Sequence, residues 1–272
     1  MKYRHFLLLL LISAGPALAA GGAATDQAAQ PGSEVRVALT LYAGGIGFGK
    51  MDIDTTLRGA DYHSESNFQT SGVVNAFWQA QIQATSSGKI GGKILQPGLY
   101  DSFDINRTGK KQQVSLSYEN GLPKLYADPV YSTTGYEVKP DDQKNTLDPL
   151  SALTFIVSGV AADAGNPCAL TAPVFDGRRR YNIEMSKVKD TSIKMDNGLY
   201  AGKATQCQIK YRALGGMRPG VLRKNNESFP AINAWIVNYT GADGHVFSVP
   251  VRVWADTPYG SLSVVADTVK IN

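Results

Sequence analysis

The sequence is poor in the residues from which catalytic and metal centres are usually built. Its 272 residues include only three histidines and two cysteines. No G-x-S-x-G nucleophile elbow occurs, so Ser151 in the segment PLSAL is interpreted as a residue of a helix's first turn. The acidic residues near His63 lack the spacing of metal ligands and are interpreted as charges on a solvated strand edge. We predict no catalytic residue, no metal site and no cofactor, and a hydrolase is the least favoured class of function.

The chain also has no internal apolar run of the length that a membrane-spanning helix requires, which is about 20 residues. Residues 1–19 instead have the pattern of a cleaved secretory signal peptide. Its charged start, apolar core and A-x-A cleavage site are Lys2 and Arg4, residues 6–12, and Ala17-Leu18-Ala19. Residues 20–33 are small and polar, which predicts a flexible leader, and residues 34–272 are predicted to form a single domain. We therefore expect a periplasmic protein without a transmembrane segment.

Little net charge remains once the signal peptide is removed. Cleavage takes away Lys2 and Arg4 and no acidic residue, which lowers the formal charge from +4 to +2. The basic residues do not form a clustered face interleaved with aromatic residues. The sequence therefore gives no indication of a nucleic-acid partner.

The two cysteines, Cys168 and Cys207, predict one disulfide bond because the exported compartment is oxidising. No C-x-x-C redox motif is present, and two cysteines are too few for a structural zinc site. A disulfide that closes a loop of about 40 residues would stabilise the fold by up to ~4 kcal/mol. The alternative interpretation is a pair of separate buried thiols.

From Glu34 onward, apolar and polar residues alternate in short segments separated by turn residues, which is typical of β-strands. The glycines of residues 44–49 do not form the dinucleotide-binding fingerprint and are interpreted as a bulge or a tight bend. Leu122 to Asn145 is predicted to be a long loop. Ten to twelve strands without interleaved helices exclude a βαβ architecture. The predicted fold is mainly β, an open or incomplete antiparallel β-barrel made from a curved meander sheet, with one or two short buried helices.

The clearest helix signal begins with Asp148 as N-cap and Pro149 at the first helical position, and Gly159 is the predicted stop. This helix is apolar on more than one side and is therefore predicted to be buried. Val73 to Trp78 has the spacing of a second short helical segment. The residues predicted to contact the helix or a hydrophobic ligand are Leu150, Leu153, Phe155, Phe77, Trp78 and Trp235.

Trp235 is included because its strand, Ala231 to Tyr239, carries apolar residues on both faces. One interpretation is a strand covered on one side by a helix or a loop. The other is an apolar concave face that stays open for an acyl chain or for a hydrophobic segment of a partner.

Three adjacent arginines follow the predicted turn Asp176-Gly177 and form the strongest polar candidate. Adjacent residues of a strand cannot share one face, so Arg178 and Arg180 are the predicted contacts for phosphate head groups or an acidic partner. A plain exposed hairpin tip is the alternative interpretation.

Several segments, taken in order, resemble a family of exported bacterial proteins catalogued as domain of unknown function 3108. They are Val37–Gly49, Gly92–Tyr100 with its LQPGLY motif, Asp148–Leu153, Val174–Arg178, Cys207–Pro219 and Trp254–Leu262. The resemblance covers nearly all of the mature domain and implies no known activity. It implies an outline similar to the lipoprotein-carrier fold, an unclosed β-barrel with a helical lid over an apolar cavity. Similar exported families are implied to support envelope integrity. No binding residue is carried over from the family.

Two hypotheses of function follow. The first is a non-enzymatic envelope protein whose curved sheet binds a lipid, a lipoprotein or an apolar peptide segment. The second is a structural adaptor that supports the cell envelope through protein–protein contacts, with the helix filling the interior. The volume and lining of any cavity near the helix would separate these hypotheses.

Overall fold

The computed structural model describes residues 32–72, 75, 79–106, 109, 111–162, 166–258 and 260–272. Its strands are β1 (Ser33–Ala43), β2 (Ile46–Arg58), β3 (Asp61–Thr70), β4 (Ala80–Gly91), β5 (Ile94–Asn106), β6 (Lys111–Glu119), β7 (Leu122–Asp128), β8 (Leu170–Phe175), β9 (Arg180–Lys194), β10 (Ala201–Gly215), β11 (Ile232–Thr240), β12 (Val246–Thr257) and β13 (Gly260–Ile271). Its helices are α1 (Pro140–Gln143), α2 (Pro149–Val157) and α3 (Pro219–Ser228). The predicted signal peptide and most of the predicted leader lie outside the described residues.

All thirteen strands belong to one antiparallel sheet in the order β7-β6-β5-β4-β3-β2-β1-β13-β12-β11-β10-β9-β8. Strands that are consecutive in the sequence pair with each other, except β7 and β8, and at the centre of the sheet β1 pairs with β13. This pairing joins the first seven strands to the last six and leaves β7 and β8 as the two edges. The predicted mainly-β fold, an antiparallel meander that is not closed, is confirmed.

The sequence prediction missed β7 and α3. Leu122 to Asn145 was predicted as a loop, but its first seven residues form β7. Most of the side chains of β7 are exposed, and Pro123 is tolerated there because an edge strand leaves one row of N–H groups unpaired. No residue of α3 is buried, so this helix has no apolar periodicity to reveal it.

The predicted ends of α2 are confirmed. The side chain of Asp148 accepts a hydrogen bond of 2.8 Å from the backbone N–H of Ser151, and Pro149 occupies the first helical position. The helix ends at Val157, and Gly159 follows with a φ of +67°. A Cβ at Gly159 would lie 2.4 Å from the carbonyl oxygen of Val246, so both the backbone angle and the space require glycine.

Helix α2 packs against strands from both halves of the sheet, namely β3, β4, β5, β8 and β12. Its buried residues are Leu150, Ser151, Ala152, Thr154, Ile156 and Val157. Apart from Tyr62, the buried side chains that β3 and β4 present are small, among them Ser64, Ala84 and Ser86. Small side chains let a helix approach a sheet closely, so the sequence of these two strands makes room for α2.

The segment before α2 connects the two edges of the sheet. The N–H of Asn145 donates to the carbonyl oxygen of Gly121 in the β6–β7 turn at 2.8 Å. The N–H of Leu147 donates to Pro173 at 2.7 Å, and the N–H of Phe175 donates to Leu147 at 2.9 Å. This short parallel bridge supplies partners for some of the backbone hydrogen-bonding groups on the free edge of β8.

The predicted disulfide between Cys168 and Cys207 is present, with the two Cα atoms 5.6 Å apart and both residues fully buried. It ties the connection between α2 and β8 to β10, within the main hydrophobic core. The second predicted helix, at Val73 to Trp78, falls largely outside the described residues. No helix in the described part of the chain is long and apolar enough to cross a membrane.

We expect Leu150→Ala to lower the free energy of unfolding by about 2–5 kcal/mol, because it leaves a cavity between α2 and the sheet. Leu150 is 4% exposed and packs in a cluster with Leu116 and Phe175. Urea denaturation of both proteins measures the change. The matched control is Val130→Ala at a residue that is 85% exposed, where we expect a change within about 0.5 kcal/mol. Equal effects of the two substitutions would contradict the buried position of α2.

Candidate functional site

A cavity of 980 Å³ lies at one end of strands β3 to β6, in the first half of the sheet. Its walls come from the starts of β3 and β5, the ends of β4 and β6, the β6–β7 turn and the segment before α2. The side chains that give it an apolar character are Tyr62, Ile94, Leu95, Pro97 and Tyr118. At its rim, the ammonium group of Lys89 lies 3.2 Å from a carboxylate oxygen of Asp61. The volume suits a small organic molecule, since ligand cavities are usually about 300–1,000 Å³.

The start of β5 forms one wall because it is paired on one side only. Residues 94–98 pair with β4, and the pairing with β6 begins at Leu99. Pro97 is tolerated there because its missing N–H removes no hydrogen bond to β6. The β4–β5 register shifts between Ser87 and Gly88, and a Cβ at Gly88 would lie 2.8 Å from the ring of Tyr62. The bulge therefore lets the Tyr62 ring pass beside the backbone of β4.

Tyr118 contributes a hydrogen-bond donor that is not used within the described part of the protein. Its hydroxyl is shielded from water and has no hydrogen-bond partner. Burial, with a smaller contribution from the negative charge of Asp148, raises the pKa of the Tyr118 hydroxyl above its ordinary value. The group therefore stays protonated and can donate to an acceptor. A buried donor without a partner costs about 1–3 kcal/mol, which a bound acceptor would recover.

Behind the cavity, one side of α2 is polar and fully hydrogen-bonded to the sheet. The hydroxyl of Ser151 donates to Asp148, and the hydroxyl of Tyr62 donates to Ser151 at 2.7 Å. The hydroxyl of Ser86 lies 2.7 Å from that of Ser151 and 3.1 Å from the Asp148 carboxylate. All of these residues are at most 2% exposed. This polar side differs from the prediction that α2 is apolar on more than one side, which did not include it.

One turn further along α2, a second chain of hydroxyl groups runs into the sheet. The hydroxyl of Thr154 donates to the carbonyl oxygen of Leu150 at 2.9 Å, so it accepts from Ser64 at 2.7 Å. The hydroxyl of Thr55 lies 2.9 Å from that of Ser64 and completes the chain on β2. Each of these three hydroxyl groups, on Thr154, Ser64 and Thr55, has a hydrogen-bond partner, as buried polar groups require.

Asp148 is a fully buried carboxyl group, and none of the described lysines and arginines forms an ion pair with it. Burial raises the pKa of Asp148 to about 6, although the hydrogen bonds from Ser151 and Ser86 act in the opposite direction. The desolvation of the charged form is therefore only partly offset by these donors.

The predicted hydrophobic contact residues lie in different places. Leu150 is buried, whereas Leu153 and Phe155 are partly buried, and all three pack in the core around α2 rather than lining the cavity. Trp235 follows the buried Ala234 on β11, so it faces the other side of the sheet and packs beside Arg252 and Trp254. Phe77 and Trp78 lie outside the described residues.

The two predicted arginines are separated by the structure. Arg178 is exposed in the turn between β8 and β9, with its guanidinium 5.8 Å from the centre of the Tyr131 ring. Arg180 is partly buried and donates to the carbonyl oxygens of Asp142 and Tyr181 at 3.0 and 2.6 Å. Arg180 is thus largely occupied by backbone acceptors, whereas Arg178 remains available.

The described residues hold no group of three or more metal-ligating side chains. The two described histidines have different hydrogen-bond partners and do not form a common site. His63 is exposed and lies 3.0 Å from Glu65, and His245 donates through Nε2 to the carbonyl oxygen of Ser158 at 2.7 Å.

The fold and the cavity define an open β-barrel-like protein with an internal helix and a ligand-sized opening at one end of the sheet. The family model described as "Protein of unknown function (DUF3108)" matches residues 37–267. The chain therefore belongs to this family, as its motifs predicted. The LQPGLY motif that carries part of the resemblance supplies the β5 wall of the cavity.

A search of solved structures found a similar chain, described as a beta-barrel-like protein of domain of unknown function DUF1849 from Brucella abortus. The alignment has a TM-score of 0.50 and 12% identity, and it covers 89% of this chain and 98% of that chain. This likeness shows the fold alone. MucB in complex with MucA(peri) aligns with a TM-score of 0.12 and 9% identity over 88% and 89% of the two chains, which supports no argument. No curated protein gave a significant match.

Asp148 should make the stability of the fold depend on pH. Because its folded pKa of about 6 lies above the ordinary 3.8, it contributes stability below about pH 4, and this contribution is lost as the pH rises through 6. Asp148→Asn removes the ionisation; its amide oxygen can still accept from the backbone N–H of Ser151, while its NH2 group donates to the hydroxyl oxygens from which the carboxylate accepts. The difference in unfolding free energy between the variant and the original protein should therefore shift in favour of the variant by on the order of 2 kcal/mol from pH 4 to pH 7. Urea denaturation at several pH values measures it, and a constant difference would contradict the assignment.

Proposed function

We propose that this protein is an exported, non-enzymatic binding protein of the cell envelope, and that its ligand is an amphipathic molecule held in the cavity of 980 Å³. The observation that carries the proposal is a cavity of ligand size with partly apolar walls, lined by Tyr118, whose buried hydroxyl has no hydrogen-bond partner among the described residues. Cavities of this composition are the default binding sites of proteins. Export is supported by the leading residues of the sequence and by the disulfide.

The chemistry of the cavity favours a ligand with a neutral polar group. The hydroxyl of Tyr118 is a hydrogen-bond donor without an acceptor among the described residues. The carboxyl group of Asp148 is close enough to raise the pKa of this hydroxyl. A second negative charge near Asp148 would be repelled. An ester or amide carbonyl therefore fits the site better than a free carboxylate. Acyl esters, which join an apolar chain to such a carbonyl, are the ligand class that we propose.

The adaptor hypothesis remains as the second candidate and is supported by the packing of α2 against strands from both halves of the sheet. Extraction of the protein after purification from its own envelope separates the two candidates. Acyl esters that leave with the protein would support the binding function. Their repeated absence, together with an unligated mass in native mass spectrometry, would favour the adaptor.

We expect Ile94→Glu to weaken the binding of a monoacylglycerol by at least about tenfold, because it places a charge against the apolar part of the ligand. Displacement of an uncharged naphthylamine fluorophore measures the affinity. Ile46→Glu is the matched control, since Ile46 and Ile94 are 59% and 60% exposed and only Ile94 lines the cavity. A loss of affinity that is equal in the two variants would count against the cavity as the site.

Tyr118→Phe should separate binding from stability. We expect the affinity for a monoacylglycerol to fall by about two- to tenfold, the value of one neutral hydrogen bond. The unfolding free energy of the empty protein should stay the same or rise, because an unpaired buried donor is removed. Tyr126→Phe, at a 55% exposed residue of β7, should change neither quantity. An unchanged affinity of Tyr118→Phe would show that the hydroxyl does not contact the ligand.

A further inference from the structure

A second cleft, of 480 Å³, lies between the β8–β9 turn and the start of α3. It brings together three arginines that are distant in the sequence: Arg178, Arg179 and Arg218. No acidic residue lines it. Arg178 was predicted as a contact for an anion, but Arg218 lies 40 positions away in a segment without strong periodicity, so no sequence signal connects the two.

The two loops that carry the arginines are fixed against each other. Asp176 accepts hydrogen bonds from the backbone N–H groups of Arg178 and Arg179 at 3.0 and 2.6 Å, which holds the turn. Gly216 has a φ of +78°, and a Cβ there would lie 2.0 Å from the carbonyl oxygen of Arg178. Only glycine permits this approach, so the backbone at position 216 brings Arg218 close to the turn.

Helix α3 is held in place by a side chain rather than by a hydrophobic face. The amide group of Asn226 accepts from the backbone N–H of Ala213 and donates to its carbonyl oxygen, both at 2.9 Å. This pair of bonds clamps α3 onto β10. Arg218 directly precedes the first turn of α3, whose partial positive charge adds to that of the arginines.

Most of the positive charge in the cleft is not neutralised. Among the described residues, neither Arg178 nor Arg218 takes part in an ion pair. Asp176 pairs with Arg179, but through Nε alone, at 2.8 Å. Three guanidinium groups and one carboxylate leave an excess of about two positive charges around a space large enough for an anion.

We propose that this cleft binds a phosphoryl group. A guanidinium group presents parallel N–H donors that match two oxygens of one anion. A carboxylate presents two oxygens, both of which one arginine can bind, whereas a phosphoryl group presents three or four and can accept bidentate pairs from several arginines at once. Val221 and Met217 line the same cleft and give it an apolar side, which suits a phosphate that is attached to an organic molecule. The site is separate from the cavity and does not depend on the acyl-ester proposal.

The test uses two phosphate sources, glycerol 3-phosphate in solution and vesicles that contain phosphatidic acid, with acetate as the carboxylate probe. We expect millimolar or tighter binding of at least one phosphate source by calorimetry or by vesicle flotation. The Nε–H signals of Arg178 and Arg218 should shift in nitrogen–proton NMR spectra when the source binds. A response to glycerol 3-phosphate alone assigns the site to soluble phosphates, and a response to vesicles alone assigns it to lipid head groups.

The double variant Arg178→Gln/Arg218→Gln should weaken this binding by at least about tenfold, because it removes charge-assisted hydrogen bonds. The matched control is Arg58→Gln/Arg223→Gln, which removes the same charge from exposed residues that do not line the cleft. Equal losses in the two double variants would overturn the proposal, since only net charge would then matter. Binding of acetate as tight as that of phosphate, or no binding of either phosphate source, would overturn it as well.

Discussion

The burial of a polar stripe of α2 against the first half of the sheet is the constraint on which the rest of the structure depends. Asp148, Ser151 and Thr154 lie on one side of the helix and meet Tyr62, Ser64 and Ser86 of the sheet. Each of these groups is buried, so each would cost free energy if its partner moved away. Apolar packing alone would allow the helix to slide or rotate, whereas these hydrogen bonds specify one position. The helix in turn sets how far the sheet curls, because strands from both halves pack against it.

The same position of α2 explains why the sheet stays open and where its cavity lies. The segment before the helix occupies the edge of β8 and touches the β6–β7 turn, so β7 and β8 do not pair directly. The buried residues of the helix are part of the hydrophobic core, and the cavity lies at the end of the sheet where the helix begins. Tyr62 connects the two regions, because its hydroxyl bonds to Ser151 and its ring lines the cavity. A ligand in the cavity would therefore contact the same tyrosine that holds the helix.

Local signals in the sequence were sufficient for much of the fold. The cap at Asp148, the stop at Gly159 and the turn at Asp176-Gly177 depend on neighbouring residues and were predicted. The disulfide was predicted from the number of cysteines and from the expected compartment. The partners of the polar stripe could not be predicted, because Tyr62 and Ser151 are 89 positions apart and serine and tyrosine are common in exposed strands. The residues that line the cavity and the arginine cleft could not be predicted for the same reason, since each is assembled from distant segments.

The most direct test of this account is hydrogen–deuterium exchange of the backbone amides of α2. A helix enclosed by the sheet can exchange only when the fold opens, so the amides of residues 152–157 should exchange as slowly as those at the β1–β13 junction. Helix α3, which has no buried residue, should exchange much faster and serves as the internal reference. Exchange of α2 at the rate of α3 would contradict the account, because α2 would then open independently of the sheet.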